Sequence, residues 1–125
     1  MISRSINRPI LINGKPQWQE EETRFWRMAR NVREDHMKRG FRNEIAMSEL
    51  ADIIRKGFEN GCKYCKSGLV LNNSYDGHKC NSITVDIIDP NRRVLSKDNI
   101  QIICYCCNQA KGRMSEEEFK NVKWY

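Results

Sequence analysis

The sequence predicts an α+β fold in which two N-terminal helices pack on a cysteine-rich unit. Residues 1–60 contain two stretches whose apolar residues recur at helical spacing. Residues 61–125 contain all six cysteines and two runs rich in β-branched residues, which indicate strands. A chain of 125 residues with 39% hydrophobic residues can form one domain with a modest core. We therefore expect an N-terminal arm and helical segment over 1–60 and a second unit over 61–125, joined in a single compact domain.

The first part of the chain is expected to contain an irregular arm and then a long helix. Asn13-Gly14 is a turn signal, but the prolines on both sides of it argue against a regular hairpin within residues 1–16. A helix is predicted over residues 18–39, which contain no glycine or proline, and Gly40 is expected to end it. One apolar stripe runs along this helix, formed by Trp18, Phe25, Ala29, Val32 and His36.

Shorter elements follow. A second helix is predicted from Ser48, an N-cap residue type, to Asn60, with Gly61 just after its end. Its buried face is expected to consist of Leu50, Ala51, Ile54 and Phe58. Strands are predicted over 82–88 and 100–104, where β-branched residues dominate. Ser115-Glu-Glu-Glu118 has the pattern of a capping box, which predicts a short helix near the C-terminus.

Charge and hydropathy exclude some classes of protein. The chain has 22 lysines and arginines against 16 acidic residues, a formal charge of +6, which permits a polyanionic partner such as nucleic acid. No apolar run approaches the roughly 18 residues of a membrane span, and the N-terminal residues lack the apolar core of a signal peptide. We therefore expect no membrane association and a cytoplasmic, intracellular location.

Four of the cysteines have the spacing of metal ligands. Cys62 and Cys65 form one C-x-x-C pair, and Cys104 and Cys107 form a second. Two such pairs complete the tetrahedral sulfur coordination of a structural zinc ion. The alternative is that these are buried thiols or disulfides, but in a reducing compartment paired cysteines more often hold a metal. The sequence therefore predicts a structural zinc site, whose loop of 38 residues must contain further structure.

The other two cysteines are expected to play no part in that site. Cys106 is adjacent to Cys107, and neighbouring cysteines rarely both bind one tetrahedral ion, so we expect a buried small apolar side chain. Cys80 follows His78 in an H-x-C pattern. This pattern is compatible with a second metal site or with an ordinary polar loop, and we favour the loop.

The residues between and after the two C-x-x-C pairs resemble the HNH endonuclease family, particularly its small, phage-type, zinc-stapled members. The resemblance covers about residues 61–121 and is carried by Ile83-Thr-Val-Asp86-Ile-Ile-Asp89-Pro90, Lys97-Asp-Asn99-Ile-Gln-Ile-Ile-Cys104 and Cys107-Asn108-Gln-Ala-Lys111. It implies a ββα-metal fold stapled by zinc, and cleavage of DNA with one divalent cation, Mg²⁺ or Mn²⁺.

The resemblance also implies roles for individual residues. Asp86 matches the acid that binds the divalent cation, and Asn108 matches the residue that completes this metal site. Asn99 matches the residue that braces the intervening loop through backbone hydrogen bonds. Lys111 follows on the same helix as Asn108, where a cation suits a phosphate. The cations expected to contact nucleic acid are Lys111, Arg113, Arg92 and Arg93.

One position departs from the family pattern. Ile87 stands where the family usually has the histidine that acts as general base, and an isoleucine cannot accept a proton. His78 is a possible substitute base or else a solvated loop histidine. Asp86 and Asp89 can hold Mg²⁺ together, or Asp86 can cap a turn while Asp89-Pro90-Asn91 forms a type I turn. His36, on the apolar stripe, is interpreted as a packing residue.

Arginines and aromatic residues of the long helix have two interpretations. Arg24, Arg27, Arg30 and Arg33 follow one ridge, which is either a phosphate-binding surface or a solvated, ion-paired face, and we favour the second. Trp18, Phe25 and Trp26 can stack on bases, but aromatic residues at helical spacing usually belong to the core.

The expected function is an HNH-like, metal-dependent endonuclease that acts on DNA with weakened general-base chemistry. The alternative is a catalytically inactive HNH-fold protein that binds nucleic acid or a protein partner. Ile87 favours the alternative, whereas Asp86 and Asn108 favour the enzyme. A zinc-ribbon regulator is a third possibility, but it leaves the spacing of Asp86 and Asn108 unexplained.

Overall fold

The secondary structure is mixed, as an α+β fold requires. The computed structural model describes residues 11–12, 15–71 and 77–121, with side chains from residue 23 onwards. Its helices are α1 (Gln17–Lys38), α2 (Met47–Asn60), α3 (Tyr105–Lys111) and α4 (Glu116–Lys120). Its strands are β1 (Leu11–Ile12), β2 (Lys15–Pro16), β3 (Arg42–Asn43), β4 (Ile83–Ile87), β5 (Val94–Leu95) and β6 (Ile100–Cys104). None of the helices in these parts of the chain is long and apolar enough to cross a membrane.

Helix α1 forms where the predicted apolar stripe lies. Phe25, Ala29 and His36 are buried and Val32 is half-buried, so this part of the predicted stripe is confirmed. The Trp18 side chain lies outside the described residues. The helix ends at Lys38, and Gly40 follows with a φ of 89°, a conformation that glycine adopts without strain.

Strands β1 and β2 precede α1 and pair antiparallel, with Leu11 opposite Pro16. The expectation of an irregular arm is therefore wrong for these strand residues. Pro16 is tolerated because a short edge pairing does not need its missing N–H group. Residues 1–10 and 13–14, including the predicted Asn13-Gly14 turn, lie outside the described residues.

Helix α2 begins earlier than expected. Its N-cap is Ala46, which makes no side-chain capping bond, so the prediction of Ser48 as the N-cap is wrong. The predicted buried face is confirmed at Leu50, Ala51 and Ile54. Phe58, also predicted to be on this face, is half-buried and contacts Phe25 of α1 edge to face, with the ring centroids 5.6 Å apart. Aromatic contact of this kind joins the two long helices.

Strands β4 and β6 form an antiparallel pair, as the β-branched runs predict. Ile83 lies opposite Cys104, and Asp86 lies opposite Gln101. Helix α2 packs closely on β6 because it has a glycine at the contact: a Cβ atom at Gly57 would lie 2.4 Å from the Cβ atom of Ile102. On its other side β4 is bonded at its start, where the Ile83 N–H donates to Val70 O at 2.9 Å. Among the described residues no strand pairs with the rest of this edge, which lines a cavity.

Residues from both halves of the chain share one hydrophobic core, which includes Leu50 and Ile54 of α2 together with Leu95 and Ile103. Strand β3, after α1, pairs in parallel with β5, which connects the helical segment to the loop that follows β4. At the C-terminus the predicted capping box of α4 is confirmed: Ser115 and Glu118 bond each other's backbone N–H groups.

Candidate functional site

The two C-x-x-C pairs come together as a four-cysteine cluster. The sulfur atoms of Cys62, Cys65, Cys104 and Cys107 all lie within 4.8 Å of one another. Tetrahedral zinc with Zn–S bonds of about 2.3 Å requires sulfur atoms about 3.8 Å apart. The Cys65 and Cys104 sulfur atoms are 3.7 Å apart. The cluster therefore fits a metal ion such as zinc, and the four predicted ligands are brought together.

Local backbone structure positions each pair. The Cys62 N–H donates to Ser67 O at 2.9 Å, and Lys66 N–H donates to Cys62 O at 3.0 Å, so the chain folds tightly around the first pair. Lys66 has a φ of 66° in this turn. In the second pair, Cys104 is the N-cap of α3, and its sulfur accepts a hydrogen bond from the Cys107 N–H at 3.4 Å. Each turn thus aims two sulfur atoms at one point.

The thiols of the cluster differ in electrostatic environment. The Ser67 hydroxyl, 3.0 Å from the Cys65 sulfur, together with the Ser67 backbone, lowers the pKa of the exposed Cys65 thiol to about 6. Burial raises the pKa of the Cys104 thiol and of the Cys107 thiol. Buried thiolates need a positive partner, and a bound metal ion supplies it while coupling the site to folding.

Cys80 and Cys106 form a disulfide. The prediction that Cys106 is a buried apolar side chain is wrong, since this residue is exposed on α3. Successive helical residues point about 100° apart, so Cys106 turns away from the cluster that Cys107 joins. The Cys106 N–H also donates to Cys80 O at 3.0 Å. The disulfide occupies the Cys80 sulfur, which excludes it from the second metal site that the H-x-C pattern allowed.

A large cleft of about 1150 Å³ lies between α1, the outer edge of β4 and α3. We call it the arginine cleft because five arginines line it: Arg24, Arg27, Arg39, Arg93 and Arg113. Asp86, Asn108 and His78 also line it, so three of the predicted catalytic residues share one cavity. A cavity with this excess of positive charge favours a polyanion.

Asp86 lines the arginine cleft and is 7% exposed. Its Oδ2 atom accepts hydrogen bonds from Gln101 Nε2 at 3.0 Å and from Lys111 Nζ at 3.0 Å. No residue in the described part of the chain bonds its Oδ1 atom. The carboxylate is therefore fixed through one oxygen and keeps the other for a ligand.

Lys111 lies in the interior and not at the surface. Its side chain is 0% exposed, and its ammonium group donates to Ile87 O at 2.9 Å in addition to its ion pair with Asp86. A phosphate bound at the protein surface does not reach this ammonium group. The role of Lys111 in this structure is to neutralise Asp86.

Asn108 holds a fixed orientation beside β4. Its Nδ2 atom donates to Thr84 Oγ1 at 3.0 Å, and the Thr84 hydroxyl donates in turn to Ile103 O at 2.8 Å. Within the described residues nothing bonds the Asn108 amide oxygen. Asn108 and Asp86 thus both offer an oxygen at the arginine cleft, and carboxylate and amide oxygens are ligands that Mg²⁺ accepts.

Asn99 acts on the backbone of a loop and does not line the cleft. It is fully buried, its Oδ1 atom accepts from the Asp89 N–H at 3.0 Å, and its Nδ2 atom donates to Arg92 O and Val94 O at 3.0 and 3.1 Å. The Asp89 carboxylate accepts a hydrogen bond from the Asn91 N–H at 3.0 Å, as expected if Asp89-Pro90-Asn91 forms a turn. Asn99 therefore sets the conformation of residues 89–94.

The predicted nucleic-acid contacts divide into two groups. Arg93 and Arg113 line the arginine cleft, whereas Arg92 lies outside it, 3.4 Å from Asp98. The Arg93 guanidinium lies over the Phe41 ring, 4.5 Å from the centroid, which fixes its position at the cleft wall.

Two histidines line the arginine cleft. His78 is exposed, and its ring stacks on Tyr105 with the centroids 4.6 Å apart and the planes 5° apart. His36 packs edge to face on Phe41, as the apolar stripe predicts, but it also faces the cleft. Burial lowers the pKa of His36. The sequence interpretation missed this second exposure, because helical periodicity reports the buried side of a residue and not a cavity formed by a distant strand.

A chain of hydrogen bonds links the first cysteine pair to the cleft. Gln101 Nε2 donates to Tyr64 Oη at 2.7 Å as well as to Asp86, and Tyr64 lies between Cys62 and Cys65. The Tyr64 hydroxyl donates to Glu116 of α4 at 3.3 Å. Burial raises the pKa of Tyr64 to about 12, so this hydroxyl remains a donor. The chain of bonds fixes Asp86 relative to the cysteine cluster.

Comparison with known proteins assigns no family to this chain. Comparisons with family models, with curated protein sequences and with solved structures found no match to this chain.

Proposed function

We propose that the protein is an HNH-like, metal-dependent endonuclease that binds DNA in the arginine cleft and cleaves it there. The observation that carries the proposal is the position of Asp86 and Asn108 in one cleft lined by five arginines. The cleft supplies positive charge for a phosphodiester backbone, and these two residues supply oxygen ligands beside it. The four-cysteine cluster, by our proposal a zinc site, holds β6 and α3 in place behind them.

Substrate binding rests on the arginines. Arg27 and Arg113 are exposed, and no ion pair reaches either of them from the described residues. Arg39 is paired with Asp35 at 2.8 Å, so its charge is partly neutralised. Arginine holds phosphate through two parallel N–H donors without reading the base sequence. We therefore expect salt-sensitive binding with little base specificity.

Cleavage rests on the oxygen ligands. Asp86 and Asn108 would hold the divalent cation, Mg²⁺ or Mn²⁺, through the oxygens that the described residues leave unbonded. A bound cation of this kind stabilises the negative charge that develops on the phosphate during hydrolysis. Lys111 fixes the Asp86 carboxylate through Oδ2, and Asp86 lines the cleft. Asn108 is held in the same way by Thr84.

The direct test is nicking of supercoiled plasmid with Mg²⁺ or Mn²⁺. The wild-type protein should nick, EDTA should abolish nicking, and Asp86→Asn should lose it while retaining the shape of the side chain. Asp98→Asn is the matched control, because Asp98 is an exposed carboxylate outside the cleft. Equal nicking by Asp86→Asn and wild type would refute the proposed site.

A second function is favoured by a specific observation: the Lys111 ammonium group already neutralises Asp86, and Ile87 offers no proton acceptor. In this alternative the protein binds nucleic acid, or a protein partner, without cleaving. Fluorescence anisotropy with labelled duplex DNA distinguishes the cases. Binding without nicking supports the alternative. Absence of DNA binding at low salt leaves only the version in which the protein binds a protein partner.

The same binding assay tests whether DNA binds in the arginine cleft. Each phosphate neutralised contributes about −0.9 to the slope of log K against log salt on duplex DNA. Arg27→Glu should weaken binding and make this slope shallower. Arg30→Glu is the matched control, because Arg30 is an exposed arginine one turn along α1 that does not line the cleft. Equal losses in both variants would point to a diffuse charge effect and against the cleft.

A further inference from the structure

We propose that His36 is the general base of the arginine cleft, accepting at Nε2 a proton from the water that attacks the phosphodiester. This inference rests on the proposed endonuclease function. It assigns the general base to a residue outside β4, because β4 has Ile87 where a histidine is expected. His36 comes from α1, fifty positions before Asp86, and the fold brings both residues to the same cavity.

The position of His36 is the first argument. Its ring lies in the wall that α1 contributes to the cleft, while Asp86, Ile87 and Asn108 line the cleft from β4 and α3. The Asp86 carboxylate is close enough to act on His36 electrostatically. A phosphodiester bound at Asp86 and Asn108 would thus share this cavity with the imidazole of His36. Ile87 and Val85 line the same cavity.

The tautomer of His36 is the second argument. Its Nδ1 atom lies 2.7 Å from Val32 O, and a carbonyl oxygen can only accept a hydrogen bond. Nδ1 therefore carries the proton, and in the neutral ring the lone pair is on Nε2. No hydrogen bond to Nε2 comes from the described residues. The edge-to-face contact with Phe41, 5.1 Å between centroids, holds the ring in this orientation.

The charge state of His36 is compatible with this role. Burial is the largest influence and lowers the pKa of His36, and Arg39 lowers it too. The hydrogen bond to Val32 O and the carboxylates of Asp35 and Asp86 act in the opposite direction, but the pKa remains below its ordinary value. Arg93, which contacts the Phe41 ring beside His36, adds another positive charge to this wall. The net effect keeps the imidazole neutral at neutral pH, as a general base requires.

The proton and electron balance of the step is simple. The water oxygen forms a bond to phosphorus as one O–H bond breaks, and that proton passes to His36 Nε2, giving an imidazolium ion. The bond from phosphorus to one ester oxygen breaks, and the departing oxygen takes a proton from solvent. The imidazolium then returns its proton to solvent, so the protein is unchanged after one turnover.

His78 is the competing candidate for this role. It lies in the exposed segment beside the disulfide, stacked flat on Tyr105. A base is effective when its geometry is fixed relative to the reacting water. The His36 ring is held at Nδ1 by Val32 O and by its edge-to-face contact with Phe41. The residue is 6% exposed and lines the cleft.

The test is single-turnover cleavage of a labelled duplex with Mn²⁺ at a series of pH values. His36→Asn keeps an amide N–H that can donate to Val32 O but cannot accept a proton, so the fold should be retained. For the wild type we expect a rate that falls at low pH. For His36→Asn we expect a rate loss of about 10²–10⁴-fold, unchanged DNA affinity, and no such fall at low pH. Thermal unfolding and zinc content serve as controls for folding.

A second measurement does not depend on activity. Nitrogen-15 NMR of the imidazole should show a protonated Nδ1 and an unprotonated Nε2, with Nε2 alone shifting when DNA binds. A proton on Nε2 in the free protein would overturn the proposal.

The outcomes separate the inference from the function on which it rests. If the wild type does not cleave, the proposed function fails and the inference fails with it. If the wild type cleaves and His36→Asn cleaves equally well, only the inference fails. A loss in His78→Asn that exceeds the loss in His36→Asn would assign the base to His78 and overturn the proposal.

Discussion

Lys111 and Asp86 form a fully internal ion pair: the lysine Nζ atom lies 3.0 Å from Asp86 Oδ2, and the lysine side chain is 0% exposed. The pair joins α3 to β4, and Asp86 lines the arginine cleft. A buried charge without its partner is strongly unfavourable, so this contact fixes the geometry of the site at the same time as it stabilises the fold.

The ion pair predicts a large effect of removing its positive partner. Lys111→Met should lower the free energy of unfolding by about 3–5 kcal/mol, because Asp86 would be left as an uncompensated buried charge. Adding Asp86→Asn should restore part of the loss, which urea unfolding of the double-mutant cycle can measure. Lys120→Met is the control, since the exposed Lys120–Glu116 pair at 3.8 Å should contribute at most about 1 kcal/mol. Additive effects in the cycle would show that Lys111 and Asp86 do not interact.

The cysteine cluster predicts opposite results at two neighbouring positions. Cys107→Ser should lose the bound metal and lower the stability of residues 61–121, because metal binding and folding are coupled. Cys106→Ser, one position earlier, should keep the metal, since its sulfur belongs to the disulfide. Elemental analysis for zinc of both purified variants checks this. A wild-type protein that is folded and free of metal would contradict the metal site.

The disulfide predicts a stability effect that depends on redox conditions. Cys80 and Cys106 are 26 residues apart, and closing a loop of this length stabilises by roughly 3–4 kcal/mol in the chain-entropy model. Cys80→Ser should lose about this much under oxidising conditions and nothing when a reductant is present. Equal stabilities of variant and wild type in the absence of reductant would show that the disulfide does not form in solution.

The close contact of Gly57 with β6 leads us to expect that Gly57→Ala, usually a favourable substitution in a helix, is unfavourable here. Alanine in a helix is ordinarily about 1 kcal/mol better than glycine. At Gly57, however, the new Cβ atom would lie 2.4 Å from Ile102 of β6, and such overpacking costs roughly 1–3 kcal/mol. Gly68→Ala is the control, because a Cβ atom at Gly68 would meet no atom within 4 Å. Urea unfolding should show a loss for Gly57→Ala alone.

His36 predicts a pH dependence of stability. Its pKa is lowered in the folded state, chiefly by burial, from the ordinary value of 6.5. The unfolded chain therefore binds a proton more readily than the folded one, and stability should fall as the pH falls below about 6.5. His36→Asn should make the dependence between pH 5 and 7 shallower. Identical pH profiles of the unfolding midpoint would show that His36 is not shielded from protonation.

The sequence by itself determined what depends on local spacing. The described part of the α1 stripe, the α2 face at Leu50, Ala51 and Ile54, and the capping box of α4 are confirmed. They follow from helical periodicity and short-range hydrogen bonding. Ligand spacing likewise predicted that Cys62, Cys65, Cys104 and Cys107 would converge. Ser48 failed as an N-cap because the helix already begins at Met47, after Ala46, which makes no side-chain capping bond; local capping preference is a weak signal that tertiary packing overrides.

Only the tertiary structure decided which distant groups meet. The pairing of Lys111 with Asp86, the disulfide of Cys80 and Cys106, and the entry of His36 into the cleft all join residues more than twenty positions apart. Periodicity shows that a side chain is buried but not what it faces, since that depends on how α1 and α3 dock against β4. Lys111 illustrates the reason: a lysine at the end of a short helix has the pattern of a surface cation, and only the buried carboxylate opposite it makes an internal position favourable.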